Sequence, residues 1–174
     1  MLANQIHKLN NRAMDQSESR LPHRLARADS HNPPDWVNPD AMFFITINCH
    51  SRGFIQLTEN GTPQQVFTAI ETYVGLQRWW PVMLILMPDH LHLLASFPWN
   101  FPNTMGNVIQ DWKRYLARNA GIRWQRDYFD HRIRNEADLQ DKWEYMRDNP
   151  VKAGLVEDFN HWPHVWFPDR RGWP

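Results

Sequence analysis

Two apolar runs broken by one tight turn constrain this chain most. Val82-Met83-Leu84-Ile85-Leu86-Met87 runs into Pro88-Asp89, and His90-Leu91-His92-Leu93-Leu94-Ala95 runs out of it. Short apolar runs bounded by turn residues read as strands. The turn predicts a hairpin in which residues 81–87 pair antiparallel with residues 90–97. Side chains alternate across a strand, so Leu91, Leu93 and Ala95 take one face. His90 and His92 then stand together on the other.

The flanking text supplies the rest of a fold. Residues 42–49, rich in β-branched and aromatic side chains, predict a first strand. Thr62-Pro63 is an N-cap followed by a first-turn proline, and Val66, Ala69, Ile70, Tyr73 and Val74 recur at helical spacing. Asn103-Thr104 caps a second helix that runs to about 119 and ends at Gly121. Its repeating positions include Met105, Val108, Ile109, Trp112 and Leu116. Residues 122–125 predict a fourth strand. Residues 138–148 predict a third helix stopped by Asn149-Pro150, then a turn or helical piece over 151–156. From His161 the chain reads as a proline- and tryptophan-rich coil.

Strand, helix, strand, strand, helix, strand is the split βαβ order. The expected fold class is α+β: a ferredoxin-like sandwich with a four-stranded antiparallel sheet, both helices on one face, and N- and C-terminal extensions. With Leu91, Leu93 and Ala95 under the helices, the two histidines go to the opposite face. The expected organisation is a polar extension over 1–40, a core over 41–134, and a C-terminal helix and tail over 135–174.

Charge is balanced, with 19 basic and 19 acidic residues, which argues against indiscriminate coating of nucleic acid. The distribution is uneven. Residues 113–134 hold Lys113, Arg114, Arg118, Arg123, Arg126, Arg132 and Arg134 against only Asp127 and Asp130, and an acidic stretch follows. This block suits a localised anionic ligand, although for any one of its residues a solvated surface charge is the ordinary reading. The ten tryptophans divide between core and base-stacking platforms in a proportion that composition does not give. Cys49 is the only cysteine, and no apolar run is long enough for a membrane span. A cytoplasmic protein is expected.

Neutral imidazole is the commonest side-chain ligand for divalent metals, so the histidine pair suits one ion. A half-exposed face with no ligand is the ordinary reading of two such histidines taken alone. Tyr115 and Asn119 lie four residues apart, on one face of the second helix. His90, His92 and Asn119 would offer two nitrogens and one oxygen to Mg²⁺ or Mn²⁺, with Tyr115 as a nucleophile toward phosphorus. Taken singly, Tyr115 reads as a packing residue and Asn119 as a helix-end asparagine. The combination with the histidines is what argues for chemistry. Tyr128 lies beyond Gly121 and is not expected to act, nor does the second helix present another tyrosine on the same face.

At these residues the chain resembles a known family. His90-Leu91-His92 is similar to the histidine-hydrophobe-histidine motif of the single-tyrosine HUH transposases. Trp112-Lys113-Arg114-Tyr115 resembles their nucleophile-bearing helix, with Asn119 at the third ligand. The text from Trp124-Gln125-Arg126 to Arg132-Ile133-Arg134, and Glu144-Tyr145-Met146-Arg147-Asp148-Asn149-Pro150-Val151-Lys152-Ala153-Gly154-Leu155-Val156, resemble the REP-associated tyrosine transposases. The resemblance covers residues 42–167. It implies metal-dependent cleavage and strand transfer of single-stranded DNA at REP-type palindromic hairpins, through a 5′-phosphotyrosine. It implies Tyr115 as nucleophile and His90, His92 and Asn119 as ligands. DNA contacts are expected from Lys113, Arg114, Arg118, His131, Arg132 and Arg134. Monomer and homodimer both stay open. Residues 1–40 fall outside the shared core, and His164-Val165-Trp166 stands where small serines are usual.

Two other classes compete. A regulator on the same fold would bind nucleic acid without metal or hydroxyl. A zinc hydrolase would need a third histidine, and His161-Trp162-Pro163-His164 is the only other close pair.

Overall fold

The strand-forming runs pair into one sheet. The computed structural model describes residues 41–98 and 104–168, so the expected extension over 1–40 lies outside the described residues. β1 is Met42–Asn48, β2 Trp80–Met87, β3 His90–Ser96, β4 Phe129–Arg132 and β5 Val165–Trp166. Their order is β4-β1-β3-β2-β5, and every pairing is antiparallel. The first four strands follow the split βαβ expectation, with β3 central. Met87 pairs with His90, so Pro88-Asp89 is a two-residue turn. Its backbone is pinned from the β1 side, where Cys49 N–H donates to Asp89 O at 2.8 Å and Gln56 N–H to Pro88 O at 2.8 Å.

Three helices cover the sheet: α1 (Thr62–Gly75), α2 (Met105–Asn119) and α3 (Glu136–Lys152). α1 starts one residue earlier than its threonine suggested. Gly61, at φ 75°, takes the N-cap position, and no side chain caps the helix. A left-handed φ there suits glycine. Val66, Ala69 and Ile70 of α1 and Met105, Val108, Ile109, Trp112 and Leu116 of α2 are buried, as their spacing predicts. They meet Phe43, Ile45, Ile47, Leu84, Leu86, Leu91, Leu93 and Ala95 in the main core. Each such aliphatic stabilises the fold by roughly 1.5–3 kcal/mol relative to exposure.

The other face is not open. Met83, Ile85 and Leu94 form a second core with Met146 of α3, flanked by Phe44, Leu139, Trp143 and Val165. α1 and α2 take one side of the sheet, as expected, and the C-terminal helix α3 covers the other. The segment from 135 is no appendage, since β5 pairs with β2 and Met146 sits in this core.

Three expectations are corrected. The strand over 122–125 is a single bridge, Cys49 to Trp124, and the edge strand lies at Phe129–Arg132. Trp124 instead stacks on Trp112 and donates Nε1–H to Lys113 O at 3.1 Å, which holds 122–125 against α2. Pro150 does not stop the third helix, which continues to Lys152. The end comes at Gly154 (φ 68°), where Leu155 N–H returns to Pro150 O at 2.9 Å, a glycine-assisted helix stop. The tail is tied rather than loose, with Leu86 N–H donating to His164 O and Trp162 Nε1–H to Leu86 O. Among the described residues no helix is long and apolar enough to cross a membrane.

Candidate active site

Strand register decides the surroundings of the histidines. His92 lies opposite Thr46 of β1 and Ile85 of β2, and His90 opposite Asn48 and Met87. Both point to the α3 side, because Leu91 and Leu93 point to the main core. The two rings are 5.0 Å apart between centroids and nearly perpendicular, at 81°.

Each ring has its Nδ1 engaged. His92 Nδ1 meets Thr46 Oγ1 at 2.8 Å, and His90 Nδ1 meets Asp89 Oδ1 at 2.7 Å. His92 is 2% exposed, and its Nε2 has no hydrogen-bond partner among the described residues. A buried polar nitrogen without a partner is costly unless something else occupies it. Burial, with His90 and the Arg52 guanidinium adding to it, pushes the His92 imidazole down to about 3. His90 is lowered too, by burial against the opposing pull of Asp89. Both rings are therefore held neutral, the form that ligates metals. Burial alone would raise the Asp89 carboxyl. The Gly53 amide, His90 and Arg52 outweigh it and hold the group below the usual carboxylate range.

Tyr115 is not brought to this pair. It is carried by α2 on the opposite side of the sheet, where its ring meets Tyr73 of α1 at 6.4 Å. Asn119 stays with it, donating Nδ2–H to Tyr115 O at 2.8 Å. The tyrosine that does reach the pair is Tyr145 of α3, with its ring centroid 5.2 Å from His92 and 5.7 Å from Phe44. Exposure does not separate the two tyrosines, at 41% for Tyr115 and 46% for Tyr145. Their neighbours do. Tyr145 lies against His92 and Phe44 and Tyr115 against Tyr73, while each has an asparagine one turn on whose Nδ2 donates to its carbonyl, Asn149 to Tyr145 O at 3.3 Å in the case of α3. Tyr128 is buried in the main core.

The basic block divides in the same way. Lys113 is buried, and its ammonium donates to the carbonyls of Gln125 and Arg126 at 2.9 Å and of Asp127 at 3.5 Å. These bonds anchor the loop over 125–127 to α2. Arg114 pairs with Asp111 at 3.1 Å and Arg118 is exposed, both on the Tyr115 side. His131 is held by both oxygens of Asp138 at 3.0 Å. Arg132 and Arg134 line a cleft beside the start of α3, together with Met42 and Leu139.

Tyr145, Asn149, Asp89 and Thr46 were missed as site residues. A signal for the first two was present, since Tyr-x-x-x-Asn occurs twice in the chain, at 115–119 and at 145–149. Among the described residues no group of three or more His, Cys, Asp or Glu side chains could hold a metal.

Comparison with known proteins places this arrangement. No protein-family model matches the chain. A Haemophilus influenzae protein assigned to the REP-associated tyrosine transposases is 32% identical over 102 residues, 49% of this chain and 57% of that protein. The chain thus spans little more than half the length of that relative. The REP-associated tyrosine transposase of Escherichia coli K12 is 28% identical over 131 residues, 72% of this chain and 75% of that one. A solved REP-associated tyrosine transposase bound to a REP hairpin superposes with a TM-score of 0.66 at 23% identity, covering 78% of this chain and 82% of its own. At that identity the likeness speaks for the fold, and the α+β sheet is shared. In sequence, this chain is similar to the REP-associated tyrosine transposases.

Proposed function

We propose that this chain is a metal-dependent single-stranded DNA endonuclease and strand transferase that acts on REP-type palindromic hairpins, with Tyr145 rather than Tyr115 as its nucleophile. The observation that carries the reading is the packing of the Tyr145 ring 5.2 Å from His92, on the same side of the sheet as His90. The named relatives, and the hairpin held by the solved one, support the substrate class.

The residues fit a divalent ion, Mg²⁺ or Mn²⁺. His92 Nε2 is buried and unpartnered among the described residues, while the Nδ1 atoms are tied to Thr46 and Asp89. His90 and His92 would hold the ion through Nε2, with the Asn149 carbonyl oxygen as third donor. When bound there, such an ion polarises the phosphodiester and stabilises charge on the leaving oxygen. In the step itself the Tyr145 hydroxyl oxygen bonds to phosphorus and the bond to the 3′ oxygen breaks. The phenolic proton is lost, a proton is taken up on the departing 3′ hydroxyl, and the 5′ phosphate stays on the tyrosine. The ester retains the energy of the broken strand, so a second 3′ hydroxyl can reverse the exchange without ATP. α3 is docked by Met146 and Pro150, and so presents Tyr145 from a fixed helix face.

A hairpin strand labelled at its 3′ end, incubated with the full chain and Mn²⁺, tests this. Wild type, Tyr115→Phe and Tyr128→Phe should each form a denaturation-resistant labelled adduct, and Tyr145→Phe should form none. An adduct lost in Tyr115→Phe and kept in Tyr145→Phe would overturn the assignment. Tight hairpin binding without an adduct under any divalent ion would make the chain a non-catalytic regulator.

A further inference from the structure

Asp89 is the second residue of the β2–β3 turn, and both of its carboxylate oxygens are used. Oδ1 faces His90 Nδ1 at 2.7 Å, while Oδ2 accepts the Gly53 N–H at 2.7 Å and meets Arg52 Nε at 3.2 Å. Its side chain is 13% exposed, and its own carbonyl accepts from Cys49 N–H, so backbone and side chain are both located. An ionised carboxylate offers only lone pairs. The imidazole nitrogen that faces it must therefore carry the proton. Thr46 at His92 imposes no such rule, because a hydroxyl both donates and accepts.

We propose that Asp89 is the positioning residue of the histidine pair: it holds His90 as the Nδ1–H tautomer and keeps the Nε2 lone pair of that ring free for a ligand. That the ligand is a divalent ion rests on the function proposed above, whereas the tautomer does not. Arg52 also reaches Asn48 Oδ1 at 2.6 Å, so the loop after β1 is tied to the turn that carries the first histidine.

The isosteric variant gives the sharp test. An asparagine has one accepting and one donating end. Two donors, Gly53 N–H and Arg52 Nε–H, crowd one end of residue 89, and His90 alone meets the other. The amide oxygen of Asp89→Asn should turn to the two donors and its NH₂ to His90. His90 must then accept at Nδ1 and carry its proton on Nε2.

Two-bond proton–nitrogen NMR spectra of the metal-free, full-length chain read this directly, with the His90 signals identified by their loss in His90→Gln. Wild type should show His90 protonated at Nδ1, and Asp89→Asn should show it protonated at Nε2. Mn²⁺ binding followed by electron paramagnetic resonance should weaken about 10- to 100-fold in Asp89→Asn. That loss should be at least as large as in Asp89→Ala. A purely structural role predicts the reverse ranking, with the isosteric asparagine preserved and the alanine impaired. Wild-type His90 protonated at Nε2, or an unchanged tautomer in Asp89→Asn, would overturn the proposal. The expected tautomers without Mn²⁺ binding by wild type would sink the metal reading and leave the role of Asp89 standing.

Discussion

The His92 imidazole couples the stability of this fold to pH. Burial above all, then the neighbouring His90 and Arg52, push it down to about 3, while an unfolded histidine titrates near its ordinary value of 6.5. Between those values the unfolded chain binds one proton that the native chain refuses. Stability from this group is therefore complete above 6.5 and is lost as pH falls toward 3, by at most about 1.4 kcal/mol per pH unit. The upper part of that window lies above the ordinary carboxylate range. Urea unfolding at pH 7, 6 and 5 should show stability falling with acid in wild type, and less steeply in His92→Gln. Equal slopes in the two proteins would mean that the ring is not held neutral by its surroundings. The same neutrality bears on function, since a ring that resists protonation keeps one nitrogen lone pair well into the acid range. What Tyr145 adds is proximity, and the chain text alone did not reveal it. The spacing of Tyr115 to Asn119 and of Tyr145 to Asn149 is identical, and spacing says nothing about which side of a sheet a helix covers.

Elements were legible where one periodicity governed them. β1, the β2–β3 hairpin, α1 and α2 follow from strand-like apolar runs or helical spacing; the two helices bury one face against the main core, while the strands fill both cores. Elements defined by a partner were not. β4 sits at Phe129–Arg132 because it pairs with β1, whereas 122–125 has an equally strand-like text but is drawn to Trp112 and Lys113. Pro150 looked like a stop, yet α3 runs through it to Lys152, with Pro150 itself buried. Lys113 belongs at this scale because it joins α2 to the loop that leads into β4. Lys113→Met would leave the carbonyls of Gln125, Arg126 and Asp127 without their ammonium. Lost charge-assisted hydrogen bonds of this kind cost about 2–3 kcal/mol. The expected result is a lower urea midpoint with an unchanged slope, and an unaltered salt dependence of hairpin binding. A reduced salt dependence with full stability would instead return Lys113 to the DNA surface.

At the scale of the molecule, the sheet carries two cores of unequal size, and the chemistry is assigned to the smaller. α2 buries five residues in the main core, while α3 buries Met146 against Met83, Ile85 and Leu94. Local opening free energies scale with buried apolar contact, so α3 should open at lower cost than α2 or the central strands. The helix that presents Tyr145 is then also the more easily released of the two, and its docking would decide whether the proposed nucleophile is in place. Native-state hydrogen exchange should show α3 amides exchanging through a sub-global opening while α2 and β3 exchange only on global unfolding. Met146→Ala, which removes the central contact of the second core, should destabilise the protein by about 2–5 kcal/mol. It should widen the gap between α3 and α2, and reduce the rate of adduct formation while leaving Mn²⁺ binding at the histidines less affected. Protection of α3 equal to that of α2 would mean that the two cores open as one unit, and that docking of the tyrosine helix is no independent control on the reaction.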